Sequence, residues 1–206
     1  MGEADPDPMQ PALVSRPFRR PGWVYEEKYD GWRLLAYKRG QCVQLVSRAG
    51  RDHTRRFATV VAAIARLAPD TLILDGEVCI FDQELISRFE WLRERPKDDT
   101  ATPPIFMAFD CLWLAGRDLR EQDLGARRQL LDQVLYGQGL LLPARRLADD
   151  GLKAWAQVLE RGYEGLVAKD AASPYRGGRT LAWLKVKVQH YRKGERGWVP
   201  KPSDRG

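Results

Sequence analysis

The sequence predicts an α+β chain of mostly antiparallel sheets with a few helices between them. Apolar runs of strand length recur along the chain, and many neighbours are joined by connections too short for parallel crossovers. Four other segments place apolar residues at helical spacing or follow helix-start signals. The 206 residues are 44% hydrophobic and 30% charged, which suits one large globular domain with a buried core.

Residues 1–22 carry Pro6, Pro8, Pro11, Pro17 and Pro21, too many for a helix or a central strand, so an extended arm packed down from about Met9 is expected. Strands follow at Trp23–Lys28, Trp32–Lys38 and Cys42–Ser47, with Arg39-Gly40 turning the second into the third. Phe57, Val60, Val61, Ile64 and Leu67 mark an amphipathic helix. Thr71–Phe81 is an apolar strand interrupted by Asp75-Gly76-Glu77, and Leu85, Phe89 and Leu92 suggest a helix over Glu84–Arg95. A polar loop at Asp98–Pro104 precedes the apolar strand Ile105–Leu114. Asp123 is a candidate N-cap for a helix to about Leu135. A strand near Leu140–Leu147, a helix near Leu152–Glu160, strands at Tyr163–Asp170 and Leu181–Val188, and a Gly- and Arg-rich turn at Ser173–Thr180 complete the pattern. From Gln189 the composition turns to glycine, proline and charge, which reads as a tail.

No run approaches the roughly 18 apolar residues of a membrane span, and the N-terminus lacks the apolar core of a signal peptide. A cytoplasmic protein is therefore expected. Cys42, Cys79 and Cys111 are scattered in apolar runs and read as reduced, buried thiols. A formal charge of +6 is compatible with a polyanionic partner but is weak by itself.

The chemistry points to Glu26-Glu27-Lys28-Tyr29-Asp30-Gly31-Trp32-Arg33. Lysine is the basic side chain that burial and neighbouring charge can tune into a nucleophile. Alone, the stretch also reads as a hairpin with a solvated lysine, because Asp-Gly between apolar runs is a turn signal. Further motifs decide the matter. Ser47-Arg48-Ala49-Gly50, Asp75-Gly76-Glu77, Phe109-Asp110, Glu164-Gly165-Leu166-Val167-Ala168-Lys169 and Trp183-Leu184-Lys185-Val186-Lys187 follow in that order.

Together these resemble the ATP-dependent DNA ligases of the covalent nucleotidyltransferase superfamily, in particular the adenylation domain of the bacterial repair or end-joining type. K-x-D-G-x-R followed by S-R-x-G favours DNA ligases over RNA ligases and capping-type guanylyltransferases, which remain the alternative enzymes. A DNA-nick or end-binding module without turnover is the alternative from another class. The resemblance implies a nucleotidyltransferase, ATP-grasp-like fold, with sheets and helices around a nucleotide cleft over residues 23–188. It also implies that Lys28 attacks the α-phosphate of ATP, carries AMP and passes it to the 5′-phosphate of nicked double-stranded DNA in repair.

On the same resemblance Asp30 orients or deprotonates Lys28, Glu26 reads the adenine amino group, Arg33 contacts the ribose, Phe109 stacks on the base and Arg48 engages the 5′-phosphate. Magnesium or manganese suits Glu77 and Glu164, since such ions prefer carboxylate and phosphate oxygens. Lys185 and Lys187 alternate with Val186 and so share one strand face, where they could hold the α-phosphate and lower the pKa of Lys28 by like-charge repulsion. His53 and His190 fit no triad or metal cluster. Residues 189–206 resemble the start of an OB-fold domain, of which only 19 residues follow Lys187. An OB-fold domain or repair proteins in trans are therefore expected partners of a monomer.

Overall fold

Two sheets lie against each other, each covered on its far side by helices. The computed structural model describes residues 7–94 and 102–189. Its strands are β1 (Met9–Leu13), β2 (Trp23–Glu27), β3 (Trp32–Arg39), β4 (Cys42–Ser47), β5 (Thr71–Cys79), β6 (Ile105–Leu114), β7 (Arg117–Asp118), β8 (Leu141–Pro143), β9 (Gly165–Asp170) and β10 (Gly178–Lys187). The helices are α1 (Ala58–Ala65), α2 (Glu90–Arg93), α3 (Leu124–Leu135) and α4 (Gly151–Arg161). The first sheet runs β1-β10-β9-β2; the second runs β4-β3-β5-β6-β7, with β8 also on β6. Antiparallel pairing dominates, and β1–β10 and β6–β8 pair in parallel.

Side-chain alternation along the strands makes the layers. Leu34, Leu45, Leu72 and Leu74 point to the outer face of the second sheet and bury Val60 and Ile64 of α1 with Leu131 and Leu135 of α3. Leu35, Met107 and Phe109 point the other way and meet Met9, Tyr175 and Trp183 of the first sheet's side. The outer face of that sheet packs Tyr25, Leu166 and Val186 against Ala154 and Val158 of α4. Asp150 caps α4 by accepting from the Leu152 and Lys153 amides, and left-handed Gly162 ends it. Asp123 occupies the N-cap position of α3 without a side-chain capping bond.

Several expectations change. β2 and β3 belong to different sheets, so Lys28–Gly31 is a crossing between sheets and not a hairpin turn. Gly31 is needed there for space, since a Cβ would lie 2.5 Å from the Val78 carbonyl oxygen. The arm contributes an edge strand, β1, which tolerates Pro11 because that position need not donate to a second neighbour. The helix expected over Glu84–Arg95 shrinks to Glu90–Arg93. Asp82 accepts from the amides of Glu84 and Ile86, pinning a turn in which Leu85 has φ of 60°. The strand expected at Leu140–Leu147 is only Leu141–Pro143. Cys79 and Cys111 are buried, but Cys42 opens a sheet-edge strand and is exposed. The tail from residue 190, His190 and most of the Asp98–Pro104 loop lie outside the described residues.

Asp110 and Arg127 form a fully buried pair, with Arg127 Nε and Nη2 each 2.8 Å from a carboxylate oxygen. Removing one partner strands the other charge without water. Asp110→Ala is expected to cost about 3–5 kcal/mol, read by denaturant unfolding. A loss under about 1 kcal/mol would mean that Arg127 finds another partner at little cost.

Candidate active site

Lys28 stands where the chain leaves β2 and crosses to the second sheet. Its amide donates to the Gly165 carbonyl at 3.0 Å, so the nucleophile candidate is fixed against β9 before its side chain begins. The ammonium donates to Glu164 Oε2 at 2.6 Å and to the Tyr29 carbonyl at 3.3 Å. The other oxygen of Glu164 takes Lys187 Nζ at 2.9 Å. Glu77 reaches the same crossing from β5, accepting from the Gly31 amide at 2.9 Å. Asp30 is buried, and its amide donates to Ser87 Oγ at 2.8 Å, a contact that the Asp82 turn makes available.

The charges around Lys28 act opposite to expectation. Burial lowers its pKa, but Glu164, Glu77 and, with the smallest pull, Asp30 outweigh burial and hold it above the ordinary lysine value. The downward shift falls on Lys185 instead, from burial first and then from Lys187 and Lys28. Glu77 loses solvation in the cleft, and its carboxyl rises to about 7 although Lys28 and Arg33 pull it down.

A cleft of about 240 Å³ opens beside this group, and Lys28, Glu77, Glu26, Phe109, Lys185 and Arg48 all line it. Glu26 is buried, with Lys169 Nζ 2.5 Å from Oε2 and Arg128 Nη1 3.4 Å from Oε1. Phe109 forms an apolar wall with Lys169 Nζ 4.6 Å and the Arg33 guanidinium 5.2 Å from its ring centre. Arg33 is held in a fork by Asp75 at 3.1 and 2.6 Å, and the Tyr175 hydroxyl donates to the same carboxylate at 2.7 Å. Arg48 is exposed at the mouth, where it bonds Gln10 at 3.3 Å. His53 packs tilted against Trp32, with ring centres 4.5 Å apart, away from the cleft-lining set.

Every sequence-derived site residue except Asp30, Lys187 and Glu164 lines this cleft; Glu164 and Asp30 act on Lys28 through contact or charge, and Lys187 shares Glu164 with it. Sequence reasoning left Asp75, Lys169, Trp183 and Tyr175 without roles. The first three stood in the quoted motifs as the aspartate of D-G-E, the last lysine of E-G-L-V-A-K and the tryptophan of W-L-K-V-K. Among the described residues no cluster of three or more His, Cys, Asp or Glu side chains could hold a metal. Glu77 and Glu164 flank a cation already, the Lys28 ammonium, and act on each other through charge. Two such carboxylates fit magnesium shared with phosphate oxygens, but not a closed protein cage.

A family model described as the ATP dependent DNA ligase domain matches residues 10–187. The multifunctional non-homologous end joining protein LigD of Mycolicibacterium smegmatis is 33% identical over 190 residues, covering 90% of this chain and 24% of that protein. LigD of Pseudomonas aeruginosa is 33% identical over 180 residues, covering 86% of this chain and 21% of that protein. The chain thus spans under a quarter of the length of these relatives. A solved mycobacterial DNA ligase D complexed with ATP and MES superposes with a TM-score of 0.76 at 32% identity, covering 88% of this chain and 60% of that one. The ligase domain of M. tuberculosis LigD gives 0.75 at 32% identity, covering 88% and 59%.

The free protein offers a direct check on the charge balance. A lysine with a raised pKa stays protonated beyond the ordinary 10.5, so Lys28 labelling by an amine-reactive probe is expected to keep rising with pH above that point. Glu164→Gln removes the strongest upward pull and is expected to move the labelling midpoint to lower pH. An unmoved midpoint would show that the Glu164 contact does not set the charge of Lys28.

Proposed function

The chain belongs to the ATP-dependent DNA ligase domain family, and from that premise we propose that it is a nucleotidyltransferase core, of ATP-grasp-like fold, that charges Lys28 with AMP for DNA ligation. The observation that carries this reading is Lys28 itself, salt-linked to Glu164 at 2.6 Å beside Glu77, in a cleft that also holds Phe109, Glu26 and Lys185. In the first step the Lys28 amine forms a P–N bond to the α-phosphorus of ATP while the bond to the β-phosphate oxygen breaks. The ammonium gives one proton to an acceptor in contact before the attack, and the second proton shed by the new P–N nitrogen leaves with pyrophosphate. Glu164 Oε2 occupies that position, with Asp30 left to orient the crossing. In the second step the P–N bond breaks as the 5′-phosphate of a nick takes the AMP. Attack by the 3′-hydroxyl then seals the strand and releases AMP.

The remaining groups divide the work. Phe109 packs on the base, Glu26 accepts from its amino group and Arg33, held by Asp75, faces the ribose. Lys185 neutralises the α-phosphate in both transfers, and Lys187 fixes Glu164 from the other side. Magnesium or manganese held by Glu77, Glu164 and phosphate oxygens would neutralise phosphate charge. Arg48 meets the 5′-phosphate at the mouth. Likeness to the bacterial LigD proteins supports nicked duplex DNA as the partner, the bacterial cytoplasm as location and end-joining repair as context. An OB-fold domain or repair proteins in trans would complete the grip on the duplex.

The test is intact mass after pyrophosphate stripping and incubation with ATP, GTP or NAD and magnesium. One AMP gained from ATP, through an acid-labile bond and lost in Lys28→Ala, is expected. Equal labelling of the alanine variant would remove Lys28 from the mechanism, and no labelling of the native chain would favour a binding module. For Arg48→Ala, binding to nicked duplex is expected to weaken, and the slope of log K against log salt to shallow by about 0.9, one phosphate contact. A slope equal to that of the native chain would take Arg48 off the DNA.

A further inference from the structure

We propose that Arg145 is the positioning residue of the Lys28–Glu164 pair, holding the neighbours of both members from outside the nucleotide cleft; the inference rests on the reading of Lys28 as the nucleophile.

The contacts converge on one residue. Arg145 stands just beyond β8, and both its main chain and its side chain reach the crossing after β2. Its carbonyl accepts from the Glu27 amide at 3.2 Å, and Nη1 donates to Glu27 Oε2 at 3.1 Å. Its amide donates to the Tyr29 hydroxyl at 2.8 Å. Lys28 is therefore bracketed, because the residue before it and the residue after it share one partner. Nη1 also donates to the hydroxyl of Tyr163, the residue before Glu164. Glu27, Tyr29 and Tyr163 are buried, whereas the Arg145 side chain is 37% exposed. Arg145 and Tyr163 line a second cavity, of about 260 Å³, and neither lines the nucleotide cleft.

The two oxygens that hold the Lys28 ammonium sit at the ends of this bracket. Glu164 Oε2 is 2.6 Å from Nζ and the Tyr29 carbonyl is 3.3 Å from it. Tyr29 is fixed at its far end by the Arg145 amide, and its ring meets Phe81 edge-on with centres 6.0 Å apart. Tyr163, held by Nη1, fixes the chain that presents Glu164. Burial pushes the Glu27 carboxyl up to about 8 against the pull of Arg145. The contact does not depend on that charge, since a carboxyl oxygen accepts whether the group is ionised or protonated. A reacting atom misplaced by about 1 Å loses on the order of a hundredfold in rate. Arg145 therefore acts on the attack by Lys28, and not on the binding of ATP.

The experiment follows AMP uptake after pyrophosphate stripping, in native protein, Arg145→Met, Tyr29→Phe, Tyr163→Phe and Arg146→Met. It reads the maximal rate of Lys28 charging, the ATP concentration that gives half of it, and the final AMP per chain. In Arg145→Met the maximal rate is expected to fall by roughly ten- to a hundredfold, and in each phenylalanine variant by roughly three- to tenfold. The half-saturating ATP is expected to stay within about twofold of native, as for an interaction that serves the transition state. The final AMP per chain is expected to stay native, because every molecule is slow and none is lost. Arg146→Met removes a neighbouring cation of the same cavity and is expected to charge at the native rate. Arg145→Met combined with Tyr163→Phe is expected to lose no more than Arg145→Met alone, since both break one contact.

A loss in half-saturation instead of rate would make Arg145 a binding residue, and a loss in final AMP per chain with the rate intact would make it merely structural. Either overturns the inference, as does an equal rate loss in Arg146→Met or a double variant that multiplies the two single losses. Rates within about twofold of native in Arg145→Met and both phenylalanine variants would overturn it as well. Charging of no native chain would overturn the reading of Lys28, and this inference with it. Should Arg145→Met fail to fold, the phenylalanine variants, each short of one hydroxyl, carry the test.

Discussion

The Glu164 carboxylate, shared between Lys28 and Lys187, is the contact on which the site depends. It joins the crossing after β2 to the end of β10, and Glu164 itself stands directly before β9. Three neighbours in one sheet are thereby tied at the edge of the cleft, while Glu77 approaches from the other sheet. Exposed pairs of this kind contribute little, but Glu164 is 6% exposed and each of its oxygens has its own cation. Breaking it would leave charge in a poorly solvated place, so it specifies where Lys28 sits more than it adds to stability.

The same logic repeats deeper in. Asp75 holds Arg33 and Tyr175, Asp110 holds Arg127, and Glu26 holds Lys169 and Arg128. These charged groups lie in or beside the cluster of apolar side chains between the sheets, where Phe109, Tyr175 and Trp183 meet. A wholly apolar filling would pack the sheets as firmly. Paired charges instead give a pocket whose polar atoms are immobile before any ligand arrives, which lowers the reorganisation needed for phosphate chemistry. Gly76 follows from that closeness. A Cβ there would lie 2.5 Å from the Phe106 ring, so β5 and β6 could not approach as they do around Asp75 and Asp110.

Strands and long helices were legible in the sequence because their signals are local. β4 and β6 carry the expected limits, and Leu124, Leu131 and Leu135 face the core from α3 at the expected spacing. What escaped was decided by contacts distant in sequence. Asp30-Gly31 reads as a hairpin turn, yet the chain crosses there to another sheet, with Gly31 fitting under Val78. Leu85, Phe89 and Leu92 have helical spacing, yet residues 80–88 close as a hairpin, the Asp82 amide donating to the Ile86 carbonyl and the Arg88 amide to that of Ile80. The site residues were legible as residue types in motif order, whereas their pairings were not. Nothing in the spacing of Asp75, Lys169 or Tyr175 tells which cation or carboxylate each will meet.

The charge state of Lys28 shows why that distinction matters. Residue types alone suggested a lysine made reactive by two neighbouring lysines. The pairings invert this, since the carboxylates of Glu164 and Glu77 prevail at Lys28. On the proposed reading, the free site therefore stores Lys28 as an ammonium, inert towards chance electrophiles. A nucleotide brings more negative charge, which by itself would raise the pKa again. Only cations reaching the phosphates can reverse the balance, and of the two lysines on β10 Lys185 is the one that lines the cleft. Reactivity at Lys28 is then a property of the loaded site, where phosphate charge is matched, and not of the lysine in the empty cleft.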